Sequence, residues 1–351
     1  MYFVLYDRFL NSIGETYILE SWSRTQRAMD FDDLRIVGEQ IPYSAEPFLV
    51  VVNDRQGKQV FSGLASTPEI DDKSKKTTLS LKDYTTLFNS EIIVDWSQLS
   101  DNCSLGQYLH FIFTAWKSQV DIGFESIILD TNEIEGILWD SEAIPLGKDT
   151  ESVLLYDLVR DAMNYYDVFC LPNLDVYRKT LTFKFKESGT RHVSIRLKDF
   201  GINSFDKSFG EYNRATVYSS TYTKDTIWAL TTSNGIVKLP STENLVYPGK
   251  NRNFISKGSS EDVTEEQALW NANYEAIMGL AANRYQEDIE LNLKQYASIS
   301  GLEELTFDYV ASVYTEEGFY RDLPVGEIES DSNGKHIIRL GRRVQELTQE
   351  I

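Results

Sequence analysis

The run Phe48-Leu49-Val50-Val51-Val52 constrains this chain more than any other feature. Three of its five residues are β-branched. Six polar, turn-forming residues from Asn53 to Lys58 follow, and Gln59-Val60-Phe61-Ser62-Gly63 returns. β-Branched side chains are stiff at χ1 and pack well on a pleated surface. Two such runs separated by a Gly-containing polar turn predict a β-hairpin.

The same pattern extends to about residue 97. Phe3-Val4-Leu5-Tyr6 reads as a short strand, Asn11 to Glu15 as a turn, Asp71 to Lys76 as a charged loop tip and Thr77-Thr78-Leu79-Ser80-Leu81 as a further strand. The pattern then changes. Ser104 is placed to cap a helix whose apolar positions, Leu105, Tyr108, Leu109, Ile112, Phe113 and Trp116, fall on one face. A second helix is expected from near Thr150, with the stripe Val153, Leu154, Leu158, Val159, Ala162, Met163 and Tyr166. Strands are expected at Tyr166 to Leu171, Thr180 to Lys186 and His192 to Leu197, the last two separated by Glu187-Ser188-Gly189-Thr190.

From Asp199 the chain returns to β. Asn213 to Ser219 alternates with period two, so one face can be buried. Residues 221–262 are polar, with turn signals at Ser233-Asn234-Gly235 and Pro248-Gly249. Thr264 and Gln267 have the spacing of a capping box for a third helix that carries Ala268, Ala272, Ala276 and Leu280 on one stripe and ends around Tyr285. Strands are expected at Asp288 to Leu293, Thr306 to Tyr314, Val325 to Glu329 and His336 to Leu340, with a hairpin turn at Asp331 to Lys335. The fold class predicted is α+β, β-rich and multidomain; 351 residues imply two to four domains.

Charge bears on function. There are 54 Asp and Glu against 34 Lys and Arg, a formal net charge of -20. Such a surface repels phosphate backbones, which argues against nucleic-acid binding and fits a passage that nucleic acid crosses without adsorbing. Aromatics at 13% suit a β-rich assembly protein, and they equally suit a glycan-binding one. Cys103 and Cys170 are too few for a disulfide framework, and Cys170, in Val168-Phe169-Cys170-Leu171, reads as a core residue. No standard secretion signal and no apolar stretch long enough to span a membrane is recognised.

Catalytic chemistry finds little support. His110, His192 and His336 occur in none of the zinc-binding spacings. Nucleophile-elbow, P-loop and dinucleotide-binding glycine patterns are absent. Asp30-Phe31-Asp32-Asp33 lacks the regular spacing and the glycine of a calcium loop and reads as a solvated or interfacial acid patch. Glu133 with Glu135, or Asp140 with Glu142, is a weak glycosidase pair, because adjacent acids are common in so acidic a chain. No catalytic, cofactor-binding or metal-binding residue is assigned.

The order of segments carries a resemblance. Asn213-Arg214-Ala215-Thr216-Val217-Tyr218-Ser219, the Ala-rich helix, Asp288-Ile289-Glu290-Leu291-Asn292-Leu293 and the closing Asp322-Leu323-Pro324-Val325-Gly326-Glu327-Ile328 follow one another after an opening β segment and a mixed insert. This layout resembles the tail hub proteins of tailed bacteriophages, a family that includes the contractile-phage baseplate hub and the N-terminal structural module of siphophage tail-associated lysins. The resemblance implies two β-barrel-like hub domains, residues 1–97 and residues 200–235 with 295–351. It also implies a mixed α+β insert at 98–199 and a second insert at 236–294 holding the helix near 264–285. It implies a homotrimer whose hub domains alternate around the DNA channel as a pseudo-hexameric ring. Distal tail protein or tail tube protein would lie on one side, receptor-binding or fibre proteins on the other, with the tape measure protein and passing, unbound DNA inside. The expected location is the virion tail tip, assembled in the bacterial host cytoplasm. No cofactor is implied, and because the chain stops at Ile351 soon after the last hub-like strand, no lytic domain is expected. The alternatives are a receptor- or glycan-binding surface protein and, less favoured, a cell-wall hydrolase.

Overall fold

The computed structural model describes residues 2–16, 20–28, 30–39, 41, 48–53, 56–57, 59–66, 68–71, 73–100, 102–120, 123–140, 150–197, 201–208, 212–219, 226–231, 235–246, 250–256, 264–282, 286–292 and 305–341. Within them the chain opens with β1 (Tyr2–Tyr6), β2 (Ser12–Thr16), β3 (Ser21–Arg27), β4 (Asp33–Glu39), β5 (Phe48–Asn53), β6 (Gln59–Ala65), β7 (Glu69–Asp71) and β8 (Lys76–Asp83). Short 3-10 turns at Tyr84–Phe88 and Trp96–Gln98 flank β9 (Glu91–Asp95). Then come α1 (Leu105–Lys117), β10 (Ser126–Asp130), β11 (Thr150–Leu154), α2 (Leu155–Tyr166), β12 (Val168–Asp175), β13 (Thr180–Glu187) and β14 (Arg191–Arg196). The remainder is β15 (Gly201–Ser208), β16 (Arg214–Ser219), β17 (Thr226–Leu230), β18 (Ile236–Leu239), β19 (Asn251–Ser256), α3 (Glu265–Ala282), β20 (Gln286–Asn292), β21 (Tyr309–Thr315), β22 (Gly318–Asp331) and β23 (His336–Leu340). None of the described helices is long and apolar enough to cross a membrane.

One large sheet runs in the order β15-β20-β23-β22-β3-β4-β8-β6-β5-β1-β2, with β21 and β14 branching from β22 and β7 from β8. β5 explains the opening feature of the sequence. Phe48, Val50 and Val52 enter one apolar cluster with Phe3, Leu5, Ile36 and Leu79, while Leu49 and Val51 enter another built around α1. A strand covered on both faces needs no polar alternation, so it reads as an unbroken apolar run. α1 begins as its sequence dictates: Ser104 Oγ accepts from the Gln107 N–H at 3.1 Å and Gln107 Oε1 accepts from the Ser104 N–H at 2.8 Å. Its apolar face is buried against Phe88 and Phe183, and Trp116 Nε1 donates to the Leu87 carbonyl at 3.2 Å. Burying each large side chain there contributes about 1.5–3 kcal/mol.

The two halves of the chain meet through β22. Its first part pairs with β21 and its second with both β23 and β3. A bulge at Gly326 lies where it passes from one task to the other. Gly326 is required there, because a Cβ at this position would strike the Gly341 carbonyl.

Several expectations give way. No sheet among the described residues closes on itself, so the two barrel-like domains are not seen as barrels; β22 joins their strands into one open sheet. Ser12–Thr16 is a strand, not a turn, because the reversal is finished earlier. The Asp7 carboxylate accepts from the Phe9 and Asn11 N–H groups at 2.9 Å each, and Leu10 takes a φ of 64°. Thr150–Leu154 pairs antiparallel with β9 instead of opening a helix, and α2 begins only at Leu155. There a tertiary partner outweighs local spacing. Residues 221–262 hold β17, β18 and β19, whose polar outward residues hid the alternation. With β16 these strands form a four-stranded sheet under α3, whereas β15 and β20 pair in the large sheet. The sequence division instead grouped residues 200–235 with 295–351. The strand expected at Val325 to Glu329 is 14 residues long. Asp54, Arg55 and Lys58 of the first hairpin turn, Ser233-Asn234, Pro248-Gly249, Tyr285, Leu293 and the terminal charged run lie outside the described residues.

Candidate functional site

The densest chemistry sits where the two halves of the large sheet meet. Register aligns Glu290, Arg339, Glu327 and Arg27 across β20, β23, β22 and β3. Directly opposed side chains in antiparallel strands stand about 5 Å apart, so opposite charges touch. Arg339 Nε lies 3.0 Å from Glu290 Oε2, and its Nη1 reaches Glu329 Oε1 at 2.6 Å and Glu327. Arg27 Nε lies 3.3 Å from Glu327 Oε2, an ion-pair distance without hydrogen-bond alignment, and Arg27 Nη1 lies 2.5 Å from Asp33 Oδ2. The Glu327 side chain is only 7% exposed. The row is an alternating ladder that bolts the end of the chain to its beginning. Its opposite face is apolar, with Ile289, Leu291, Ile328, Ile338 and Leu340 buried together.

A second network lies beside it and absorbs the acidic run Asp30 to Asp33. Arg24 Nη2 donates to Asp32 Oδ2 at 2.9 Å, and the Arg27 N–H donates to Asp32 Oδ1 at 3.0 Å. The Asp32 N–H donates to Asp83 Oδ2 at 3.1 Å, and Asp83 Oδ1 accepts from the Thr85 N–H and hydroxyl. Burial, with the Asp32 charge beside it, pushes the Asp83 carboxyl up to about 7. Burial raises Asp32 too, against the pull of Arg24. The Tyr156 hydroxyl of α2 donates to Asp30 Oδ1 at 3.0 Å. Asp30 and Asp32 are therefore tied into an internal hydrogen-bond network, while the Asp33 side chain stays 42% exposed. Among the described residues no group of three or more His, Cys, Asp or Glu is arranged to hold a metal ion.

The other residues singled out from sequence are scattered. His110 is exposed on α1, His192 is exposed on β14, and His336 is half-buried at the start of β23. Cys103 is buried, and Cys170 is half-buried and packed against the main apolar cluster, where burial pushes its thiol up. Glu133 pairs with Lys184 at 2.6 Å and Lys186 at 3.6 Å, and the hydrogen bond from Lys184 holds its carboxyl below the usual range. Asp140 accepts from the Tyr165 hydroxyl at 3.1 Å, and its N–H donates to the Tyr166 hydroxyl at 2.7 Å. Glu142 lies outside the described residues. Trp96, Trp116, Trp139 and Trp228 are buried, and Trp22 and Trp270 are half-buried.

Arg27, Glu290, Glu327 and Arg339 were not singled out from sequence. The available signal was alternation: Glu290 sits between the buried Ile289 and Leu291, and Glu327 and Glu329 flank the buried Ile328. At the rims, β2 and β15 end the large sheet, and among the described residues each has one unpaired edge. Such edges are rows of unfilled hydrogen-bonding groups that invite another strand or a cover.

Comparison with known proteins gives a consistent result. No protein-family model matches the sequence, and no curated protein matches it. Solved structures do. The 43 kDa tail protein of prophage MuSo2 from Shewanella oneidensis aligns with a TM-score of 0.50 at 14% identity, covering 97% of this chain and 98% of that one. Prophage tail protein gp18 from Listeria monocytogenes EGD-e aligns with a TM-score of 0.52 at 13% identity, covering 98% and 95%. A chain of the phage p2 virion baseplate in its activated conformation aligns with a TM-score of 0.51 at 8% identity, covering 97% and 98%. From end to end, then, this chain has the fold of the tail and baseplate proteins of tailed bacteriophages.

Proposed function

We propose that the protein is a structural hub of a bacteriophage tail tip. It forms a trimeric ring around the DNA channel and joins the tail tube or distal tail protein to the host-recognition components. One observation carries this reading: the fold likeness to phage tail and baseplate proteins spans nearly the whole of both chains.

The chemistry supports a scaffold. The buried Glu327 joins β3 to β23 through Arg27 and Arg339, and among the described residues no group of three or more His, Cys, Asp or Glu is arranged to hold a metal ion. In this reading residues 1–97 supply one wall piece. The strands tied to β22, namely β15, β20, β21 and β23, supply the other. Residues 98–199 and the β16–β19 sheet with α3 lie outside or at the tip. The net charge of -20 keeps passing DNA from adsorbing to the wall.

Sedimentation velocity and negative-stain imaging of the purified chain test the proposal. The expected result is a threefold ring with a central hole. A chain that stays monomeric at micromolar concentration, alone and mixed with a phage tail tube protein, refutes it.

A further inference from the structure

One corner of this acidic molecule brings exposed cations and exposed aromatic rings together. In the turn between β1 and β2 the Arg8 guanidinium lies 4.8 Å from the centre of the Phe9 ring, and Phe9 is 52% exposed. The turn is clamped to the residues leading into β10 and to the turn between β12 and β13. The Gly123 N–H donates to the Arg8 carbonyl at 2.7 Å, and Lys179 Nζ donates to the Phe9 carbonyl at 3.2 Å across 170 residues of sequence. The approach is close enough that a Cβ on Gly123 would lie 2.7 Å from Phe9 Cα. The second turn presents Tyr177, fully exposed, and Arg178, whose side chain is 84% exposed. Among the described residues neither Arg8 nor Lys179 has a carboxylate within ion-pair reach, and Arg178 has only Asp175 at 3.8 Å.

Exposed Tyr and Phe ringed by Arg is the composition of an interface core, where aromatic residues and Arg are enriched. The turns are held by hydrogen bonds before any partner arrives, so little ordering cost remains. Three cations on so acidic a molecule are too few to hold a nucleic acid, whose binding grows with the number of phosphates neutralised. They fit an acidic protein surface that also offers an aromatic ring.

Such a surface lies elsewhere on this chain. At the hairpin between β21 and β22, Phe319 is 58% exposed and packs edge-on against Tyr314 at 5.6 Å. Glu316 and Glu317 are exposed beside it, with no cation partner among the described residues. We infer that the Arg8–Phe9–Tyr177–Arg178 knuckle of one copy docks on the Glu316–Glu317–Phe319 tip of a second copy of this chain. The sheet order puts seven strand steps between β22 and β2, a path of roughly 34 Å at about 4.8 Å per step. Joining two different patches links copies head to tail, an arrangement that closes into a ring where the rotation between copies closes. The inference rests on the ring proposed above and names the contact that closes it.

Sedimentation velocity of the full chain decides the matter. Phe9→Ser with Tyr177→Ser, both exposed, should raise the concentration needed for half-assembly at least tenfold while leaving the far-UV circular dichroism unchanged. Arg8→Glu with Arg178→Glu should do the same, and adding Glu316→Arg with Glu317→Arg to that chain should restore assembly. Full assembly by both double variants overturns this contact and leaves the ring standing. Assembly lost on reversal and not recovered by the fourfold variant overturns the pairing of these two patches. A wild-type chain that never assembles, alone or mixed with a phage tail tube protein, removes the ring and the contact together.

Discussion

Glu327→Gln tests the seam directly. The substitution keeps side-chain size and removes one charge from a position 7% exposed, set between two guanidinium groups. At an effective dielectric constant near 20, unit charges 3.3 Å apart attract by about 5 kcal/mol before desolvation is counted. Removing one member of a buried pair typically costs 3–5 kcal/mol, because the partner is left buried and uncompensated. Arg339 keeps Glu290 and Glu329, and Arg27 keeps Asp33. The loss therefore belongs at the lower end, about 3 kcal/mol. Urea unfolding followed by far-UV circular dichroism measures it as a lower midpoint at unchanged slope. A double-mutant cycle with Arg27→Gln isolates the pair, with an expected coupling of at least about 1 kcal/mol. Because the pair is buried, the coupling should change little between 0.05 and 0.5 M salt. Additivity of the two substitutions within about 0.5 kcal/mol would refute the ladder as a stabilising device.

Two further outcomes follow from local geometry. The Asp83 carboxyl is raised to about 7 in the folded chain, so the folded state holds its proton longer than the unfolded one. Stability should fall as pH rises from about 4 toward 7, at no more than about 1.4 kcal/mol per pH unit, and level off above. Thermal melts of Asp83→Asn should show a flatter pH dependence across that window, and an unchanged slope would contradict the assignment. Gly326→Ala places a methyl group against the Gly341 carbonyl. It should destabilise by roughly 3 kcal/mol or more, through a backbone shift at the bulge, and a urea midpoint equal to wild type would show that β22 does not need the glycine.

What could be read from sequence was whatever a few consecutive residues decide. α1 announces itself through Ser104, Gln107 and six apolar positions on one face. The β22–β23 hairpin does so through Asp331, whose carboxylate accepts from the Asn333 and Lys335 N–H groups, and through Gly334 at a φ of 79°. Pairing between distant segments leaves no such local mark. β16 lies parallel to β19, β14 lies parallel to β21, and β3 lies beside β22. Each is settled by register and burial that only the assembled sheet supplies. The same reason hid the candidate site. Arg27 and Glu327 look like ordinary surface charges until the two strands lie side by side. Thr150–Leu154 misled differently, since Val153 and Leu154 fit a helical stripe equally well and only the edge of β9 decides against it.

The pairing of β3 with β22 also dictates when this molecule can be finished. The Trp22 N–H donates to Ser332 Oγ across 310 residues of sequence. A ribosome adding about 5–20 residues per second needs roughly 15–60 s to make that stretch. Throughout that time β3 has emerged with β4 on one side and nothing of its own chain for the other. Newborn copies crowded on one message thus carry the same open flank at once, and each is protected only when its own β22 leaves the ribosome.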